Sequence, residues 1–195
     1  MSEEKKQTSV LGIVGSPRRG GNTDILVDEV LRGAEGAGAK VEKVYLRDLD
    51  IRPCLACDSC RKTGKCVQKD DAPALLEQME HSDVWVLGTP VYFWGPSAQL
   101  KALIDRIYVY GSVQYTAFIG RHAILAIPFG DTYEGTARHT EGMLKDTLDY
   151  LKVKHVDTIL APGANDRGEI HNFPDVLAAA HRAGKKVADL EVVRN

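Results

Sequence analysis

Cys54, Cys57, Cys60 and Cys66 are the only cysteines in the 195-residue chain, and they fall in one stretch, Cys54-x2-Cys57-x2-Cys60-x5-Cys66. Disulfide frameworks belong to small secreted domains and join distant segments. A single tight group in a longer chain points instead to metal or redox chemistry. A [4Fe–4S] cube needs four thiolates converging on a small volume. The first three cysteines can wrap one face of such a cube, and the Gly64 turn in Arg61-Lys62-Thr63-Gly64-Lys65 lets Cys66 return to it. Arg61, Lys62 and Lys65 are placed to offset the thiolate charge. Zinc is a rival, although structural zinc sites usually draw on two separated pairs. Thiols without metal are the third reading; spacing favours the cluster but does not decide occupancy.

A second constellation follows the apolar run Val10–Gly15. It is Ser16-Pro17-Arg18-Arg19-Gly20-Gly21-Asn22-Thr23, and a helical pattern with Ile25, Leu26, Val30 and Leu31 on one face comes next. A loop between strand and helix attracts anions through backbone N–H groups and the helix dipole. Gly20 and Gly21 permit close backbone approach, Ser16, Asn22 and Thr23 offer polar donors, and Arg18 adds charge. The loop lacks the Gly-Lys-Ser/Thr of a Walker A motif and is not G-x-G-x-x-G. A plain turn with Asn22 or Thr23 as helix N-cap is the competing reading.

The third constellation, Thr89-Pro90-Val91-Tyr92-Phe93-Trp94-Gly95-Pro96, holds three consecutive aromatics. They offer flat faces to a planar heterocycle, unless Phe93 and Trp94 pack onto the sheet or a neighbouring subunit. Phe129-Gly130-Asp131-Thr132-Tyr133 forms a third loop that can close over the ring. A phosphate at the first loop and a planar ring at the second describe a mononucleotide, and flavin mononucleotide (FMN) fits best.

These loops need a scaffold. Strand patterns at Val10–Gly15, Val41–Leu46, Val84–Leu87, Ala123–Pro128 and Val156–Leu160 alternate with helical patterns at Ala72–Glu80, Ser97–Tyr108, Thr136–Leu151 and Phe173–Leu190, besides the helix after Thr23. Alternation with continuous apolar strands predicts an α/β fold, a five-stranded parallel sheet covered on both faces. The flavodoxin-like, doubly wound order 2-1-3-4-5 places a ligand at the carboxyl ends of strands 1 and 3. Residues 1–8 are expected to form a loose tail and residues 9–195 a single domain, with an irregular cysteine-rich insertion at 47–71.

Composition narrows the classes further. Hydrophobic residues make up 44% and charged residues 27%, and the net charge is −2. No basic field is present to hold nucleic acid or an anionic membrane. No apolar run reaches the roughly 18 residues that span a bilayer, and the polar Met1–Thr8 segment lacks a signal-peptide core. A cytoplasmic location is therefore expected. The six histidines show no metal spacing; His81 and His181 are expected at the surface, and His139 is not expected to act in catalysis. Asp70-Asp71 reads as a helix N-cap, and Asp105-Arg106 as an ion pair.

Gly15-Ser16-Pro17-Arg18 with Gly21-Asn22-Thr23, then Pro90-Val91-Tyr92, then Leu100-Lys101 with Asp105-Arg106, resembles the NAD(P)H-dependent FMN reductase family. The cysteine motif resembles that of its iron–sulfur flavoprotein branch. The resemblance implies that Ser16, Arg18, Gly21, Asn22 and Thr23 bind the FMN phosphate, that Pro90, Val91, Tyr92 and Phe93 line the isoalloxazine, and that Gly130 and Asp131 join from the third loop. It also implies homodimers or homotetramers with flavins near subunit interfaces. Three classes follow: an oxidoreductase linking FMN through a [4Fe–4S] cluster to one-electron partners such as ferredoxin, a cluster-free NAD(P)H-dependent FMN or quinone reductase, and a non-enzymatic electron carrier or redox sensor. No acid or base residue is evident, and the electron donor is left open.

Overall fold

The computed structural model describes residues 7–190. Its five strands, β1 (Ser9–Val14), β2 (Lys40–Tyr45), β3 (Val84–Gly88), β4 (His122–Phe129) and β5 (Lys154–Pro162), form one sheet in the order β2-β1-β3-β4-β5, with every pairing parallel. Helices α1 (Asn22–Gly36), α2 (Ser59–Thr63), α3 (Ala72–His81), α4 (Ala98–Arg106), α5 (Arg138–Tyr150) and α6 (Pro174–Lys185) complete the chain. This is the expected architecture. Successive strand residues point to opposite faces, so β1 sends Leu11 and Ile13 to one core and Val10 and Val14 to the other. The first core is covered by α3, α4 and α5, the second by α1 and α6.

The differences from expectation lie at element ends and in the insertion. Helix α4 stops at Arg106 and tightens into 3-10 turns over Ile107–Val113, and α6 ends at Lys185 before another such turn at Lys186–Asp189. The insertion contains α2, a five-residue helix closed by Gly64 at φ 70°. Of the expected tail, residues 1–6 lie outside the described residues. Gln7 and Thr8 are held, for Gln7 Nε2 donates to Gly38 O and Thr8 O accepts from Lys40 N at 2.8 Å. No helix among the described residues is long and apolar enough to cross a membrane.

Helices α1 and α6 pack through glycine. A Cβ at Gly184 would lie 1.9 Å from Val30 O, and one at Gly33 would lie 2.1 Å from His181 O. Gly184→Ala is expected to lower unfolding free energy by about 2–3 kcal/mol or more, because backbone on both sides resists the added methyl. Gly36 meets nothing within 4 Å, so Gly36→Ala should raise stability by up to about 1 kcal/mol. Urea unfolding of both variants reads the opposite signs.

Candidate functional site

The first loop is anchored where β1 and β3 end. Gly15 N donates to Gly88 O at 2.8 Å, and a Cβ on Gly15 would meet that same oxygen at 2.8 Å. Ser97 Oγ donates to Gly15 O at 2.7 Å and accepts from Leu100 N, so it caps α4 while fixing the loop. Ser16 is buried, and its Oγ accepts from Arg18 N. Gly20, at φ 62°, turns the chain and donates its N–H to Asp24 Oδ2. The N-cap of α1 is Gly21, with no side-chain cap. The capping reading for Asn22 or Thr23 is thereby replaced, and the first-turn N–H groups have no intrahelical acceptor and no side-chain cap.

Asn22 is also engaged within the fold. Its Nδ2 donates to Ala164 O at 2.9 Å and to Asp166 O at 2.8 Å, and its Oδ1 accepts from Ile170 N at 3.1 Å. The carboxamide ties α1 to the β5–α6 loop and spends both Nδ2 hydrogens within the chain. The partners stand more than 140 residues away, which local sequence does not reveal. Three further arginines gather beside Arg18: it lines a cavity with Pro17, Arg19, Arg47 and Arg167. Arg47 Nη1 donates to Pro17 O, Arg167 Nη2 donates to Arg19 O, and Arg19 pairs with Asp48 and lies over the Tyr45 ring.

The second loop is a two-residue hairpin. Tyr92 and Gly95 exchange both backbone hydrogen bonds, with Phe93 at φ 48° and Trp94 at φ 63° between them. Positive φ at both central residues is type I′ geometry, which bulky side chains adopt only under strain. Thr140 Oγ1 of α5 donates to Trp94 O and steadies the turn. Within this chain neither ring packs onto the sheet, for Phe93 is 96% and Trp94 55% exposed. Pro90 and Val91 are half-buried at the base of the turn.

The third loop is built around Asp131, whose carboxylate accepts from Tyr133 N and Thr136 Oγ1. These bonds hold its carboxyl below the usual range, with Thr136 the larger influence. Gly163 N donates to Asp131 O and Ala164 N to Phe129 O, while a Cβ on Gly130 would meet Asn165 Oδ1 at 2.8 Å. One stretch, residues 163–170, therefore buckles the first and third loops together.

The cysteine segment is a loop closed at its base. Asp50 and Asp71 bond to each other's main chains, Arg52 N donates to Asp70 Oδ2, and Gln68 Nε2 donates to Pro53 O. All four cysteines line one small cavity together with Leu55, Ala56, Val67 and Tyr108. Cys54 and Cys57 are exposed, and Cys60 and Cys66 are partly covered. Burial, then the neighbouring thiols, pushes the Cys60 thiol up. Among the described residues no three His, Cys, Asp or Glu side chains form a group that could hold a metal ion. Arg61, Lys62 and Lys65 are exposed. The cation at a cysteine is another one, Arg106, whose Nη2 donates to Cys66 Sγ at 3.3 Å.

The expected Asp105–Arg106 pair is replaced by two others. Asp105 pairs with Lys101, and Arg106 pairs with Asp70, their side chains 2% and 0% exposed. Asp71 stands at the N-cap position of α3 as expected, with its carboxylate holding Asp50 N and not a helix N–H, while Asp70 Oδ1 accepts from Ala72 N at the helix start. His81 is exposed, but His181 is half-buried and its Nδ1 lies 2.9 Å from Glu29 Oε1. His139 lines a cleft of about 1070 Å³ between α4, α5 and the cysteine segment, with Cys54, Tyr108 and Met143.

The Arg106 guanidinium holds the Asp70 carboxyl below its usual range, against the opposing effect of burial. The stabilisation from this depressed pKa is complete above the unfolded value of about 4 and is lost as pH falls through the native one. Asp70→Asn should cost roughly 3–5 kcal/mol at pH 6, because a charge is left unpaired inside. It should also flatten the acid limb of a urea-derived stability profile below about pH 4. Asn22→Ala should cost roughly 2–4 kcal/mol, having removed three hydrogen bonds around buried Ile170. Full stability in that variant would contradict the clasp.

Comparisons with known proteins agree with this geometry. The sequence pattern described as NADPH-dependent FMN reductase matches residues 8–166. An iron–sulfur flavoprotein of Methanocaldococcus jannaschii is 46% identical over 97 residues, 50% of this chain and 50% of that one. The chain thus spans about half the length of the first curated relatives it matches. An FMN-dependent NADH:quinone oxidoreductase of Gluconacetobacter diazotrophicus is 30% identical over 141 residues, 66% of this chain and 68% of that one. In fold, the chain resembles an NAD(P)H:quinone oxidoreductase from Methanothermobacter marburgensis, with TM-score 0.76, 20% identity, and 97% and 100% of the two chains covered. With its sheet order, its uncapped loop at the end of β1 and a sequence match over most of its length, the chain belongs to the NADPH-dependent FMN reductase family.

Proposed function

We propose that this protein is an FMN-dependent oxidoreductase that passes electrons to one-electron carriers through a [4Fe–4S] cluster held by Cys54, Cys57, Cys60 and Cys66. The reading is carried by one juxtaposition. Helix α4 starts directly after the aromatic turn and ends at Arg106, whose guanidinium touches a cysteine of the four-cysteine cavity. The name of the Methanocaldococcus relative supports the cluster.

The chain offers donor types for both groups, and the four cysteines line one cavity without converging on a single-ion site. The α1 N-terminus is free of a side-chain cap and stands beside Arg18, as a phosphate needs. The thiol cavity offers four soft sulfur donors, as an iron–sulfur centre needs. Bound FMN supplies two-electron redox chemistry, and a cluster supplies single-electron transfer.

The chain's own part is position and electrostatics. Ser16, Arg18, Gly21, the Asn22 backbone and Thr23 hold the phosphate. Pro90, Val91, Tyr92 and Phe93 line the ring, and Gly130 and Asp131 close the third side. Exposed Phe93 and Trp94 also give a second copy of the chain an apolar surface, in keeping with a homo-oligomer. NAD(P)H is one candidate donor and a ferredoxin-like carrier one candidate partner. A second reading, a cluster-free NAD(P)H:quinone reductase, is favoured by the name of the Gluconacetobacter relative.

An absorption spectrum of protein purified without oxygen, with iron and acid-labile sulfide assayed on the same sample, tests the two. Flavin bands with a broad shoulder near about 400 nm and about four irons per chain are expected. Flavin alone, after anaerobic reconstitution has failed, together with NAD(P)H oxidation by a quinone, would establish the second reading. Arg18→Ala should lower flavin content in either case, because the guanidinium beside the loop is gone.

A further inference from the structure

The Arg106 guanidinium is the most constrained cation near the cysteines. Nη1 donates to Arg52 O at 2.9 Å and to Asp70 Oδ2, Nη2 donates to Asp70 Oδ1 at 3.0 Å, and Nη2 also donates to Cys66 Sγ at 3.3 Å. Asp70 is itself held by Arg52 N and Ala72 N. Both side chains of the pair are buried, so neither can swing out to water without unpairing the other. Arginine retains its charge at any ordinary pH, and its planar fork fixes the direction of every donor. The N–H at Cys66 is therefore aimed by Asp70 from one side and by Arg52 O from another. Arg61, Lys62 and Lys65 are exposed.

We infer that Arg106 is a positioning residue that fixes the Cys66 sulfur by a charge-assisted hydrogen bond and thereby raises the reduction potential of a cluster bound there. This rests on the cluster reading above. Hydrogen bonds to ligating sulfur and local positive charge favour the more negative, reduced state of an iron–sulfur centre. Outer partners of metal ligands set both ligand orientation and electronics. Arg106 satisfies both conditions at one sulfur. It sits on α4, so the helix that follows the aromatic turn also carries the group that tunes the thiol site.

Arg106→Lys retains a cation for Asp70 but removes the Nη2 that reaches sulfur. Redox titration of the anaerobic holoprotein, followed by electron paramagnetic resonance for the cluster and by absorbance for the flavin, reads the effect. The expected result is a shift of the cluster midpoint to more negative potential, with iron content and flavin midpoint unchanged. A cluster at wild-type potential, whether at full or reduced iron content, overturns the inference and makes Arg106 only a brace for the loop. Wild-type protein without iron or sulfide after reconstitution overturns the cluster reading and this inference together.

If the variant does not fold, wild-type protein grown with 15N-guanidinium arginine decides. Pulsed resonance of the reduced cluster should show a 15N coupling from the donor at Cys66. Its absence overturns the inference without touching the cluster reading.

Discussion

The contact between Gly15 and Gly88 is the constraint on which the loop end of the sheet depends. The two residues end neighbouring parallel strands, and the main chains meet closely enough for one to donate to the other. A Cβ on Gly88 would lie 2.4 Å from Val27 Cγ2, so the same point also admits α1 against the sheet. At Gly15 the obstacle is the Gly88 carbonyl, so no side-chain rearrangement can relieve a clash there. Ser97 then ties the start of α4 to Gly15 O. Loop one, the sheet and the helix after loop two are thus joined within one small volume, and the uncapped end of α1 points out of it.

The cysteine segment is held by a different kind of force. It has little apolar burial of its own, and its order comes from main-chain pairing at its base and from the buried Asp70–Arg106 pair. Buried ion pairs add little net stability compared with apolar packing, but losing one partner is costly. Such a pair therefore specifies an arrangement more than it strengthens one. Here the specified arrangement brings residues 52, 66 and 70 around one guanidinium on α4.

The fold was legible because strands buried on both faces read as unbroken apolar runs, as at Val10–Val14 and Val84–Leu87. The loops were legible as departures from that pattern: glycines and polar residues after β1, aromatics after β3, cysteines after β2. What local sequence did not reveal were partnerships across distance. Asn22 looked like a phosphate donor or a cap, since its acceptors come from Ala164 and Asp166. Arg106 looked like a partner for its neighbour Asp105, whereas adjacent helical residues point in different directions and each found a partner elsewhere. The cations nearest the cysteines in sequence, Arg61, Lys62 and Lys65, face water, whereas the one at Cys66 comes from α4. Helix α2 was missed because five residues carry too little periodicity to stand out.

The clasp between Asn22 and residues 164–170 also bears on the order of assembly. Sheet order requires β1 to find β2 and β3 early, but the first loop acquires its last anchors only from chain that follows β5. Contacts of such long sequence separation form late, since the entropy of closing the intervening chain must be met first. During synthesis from the N-terminus, the segment that reads most plainly as a nucleotide loop is thus among the last to become rigid. That loop reaches its final shape only after the segment 164–170 has emerged.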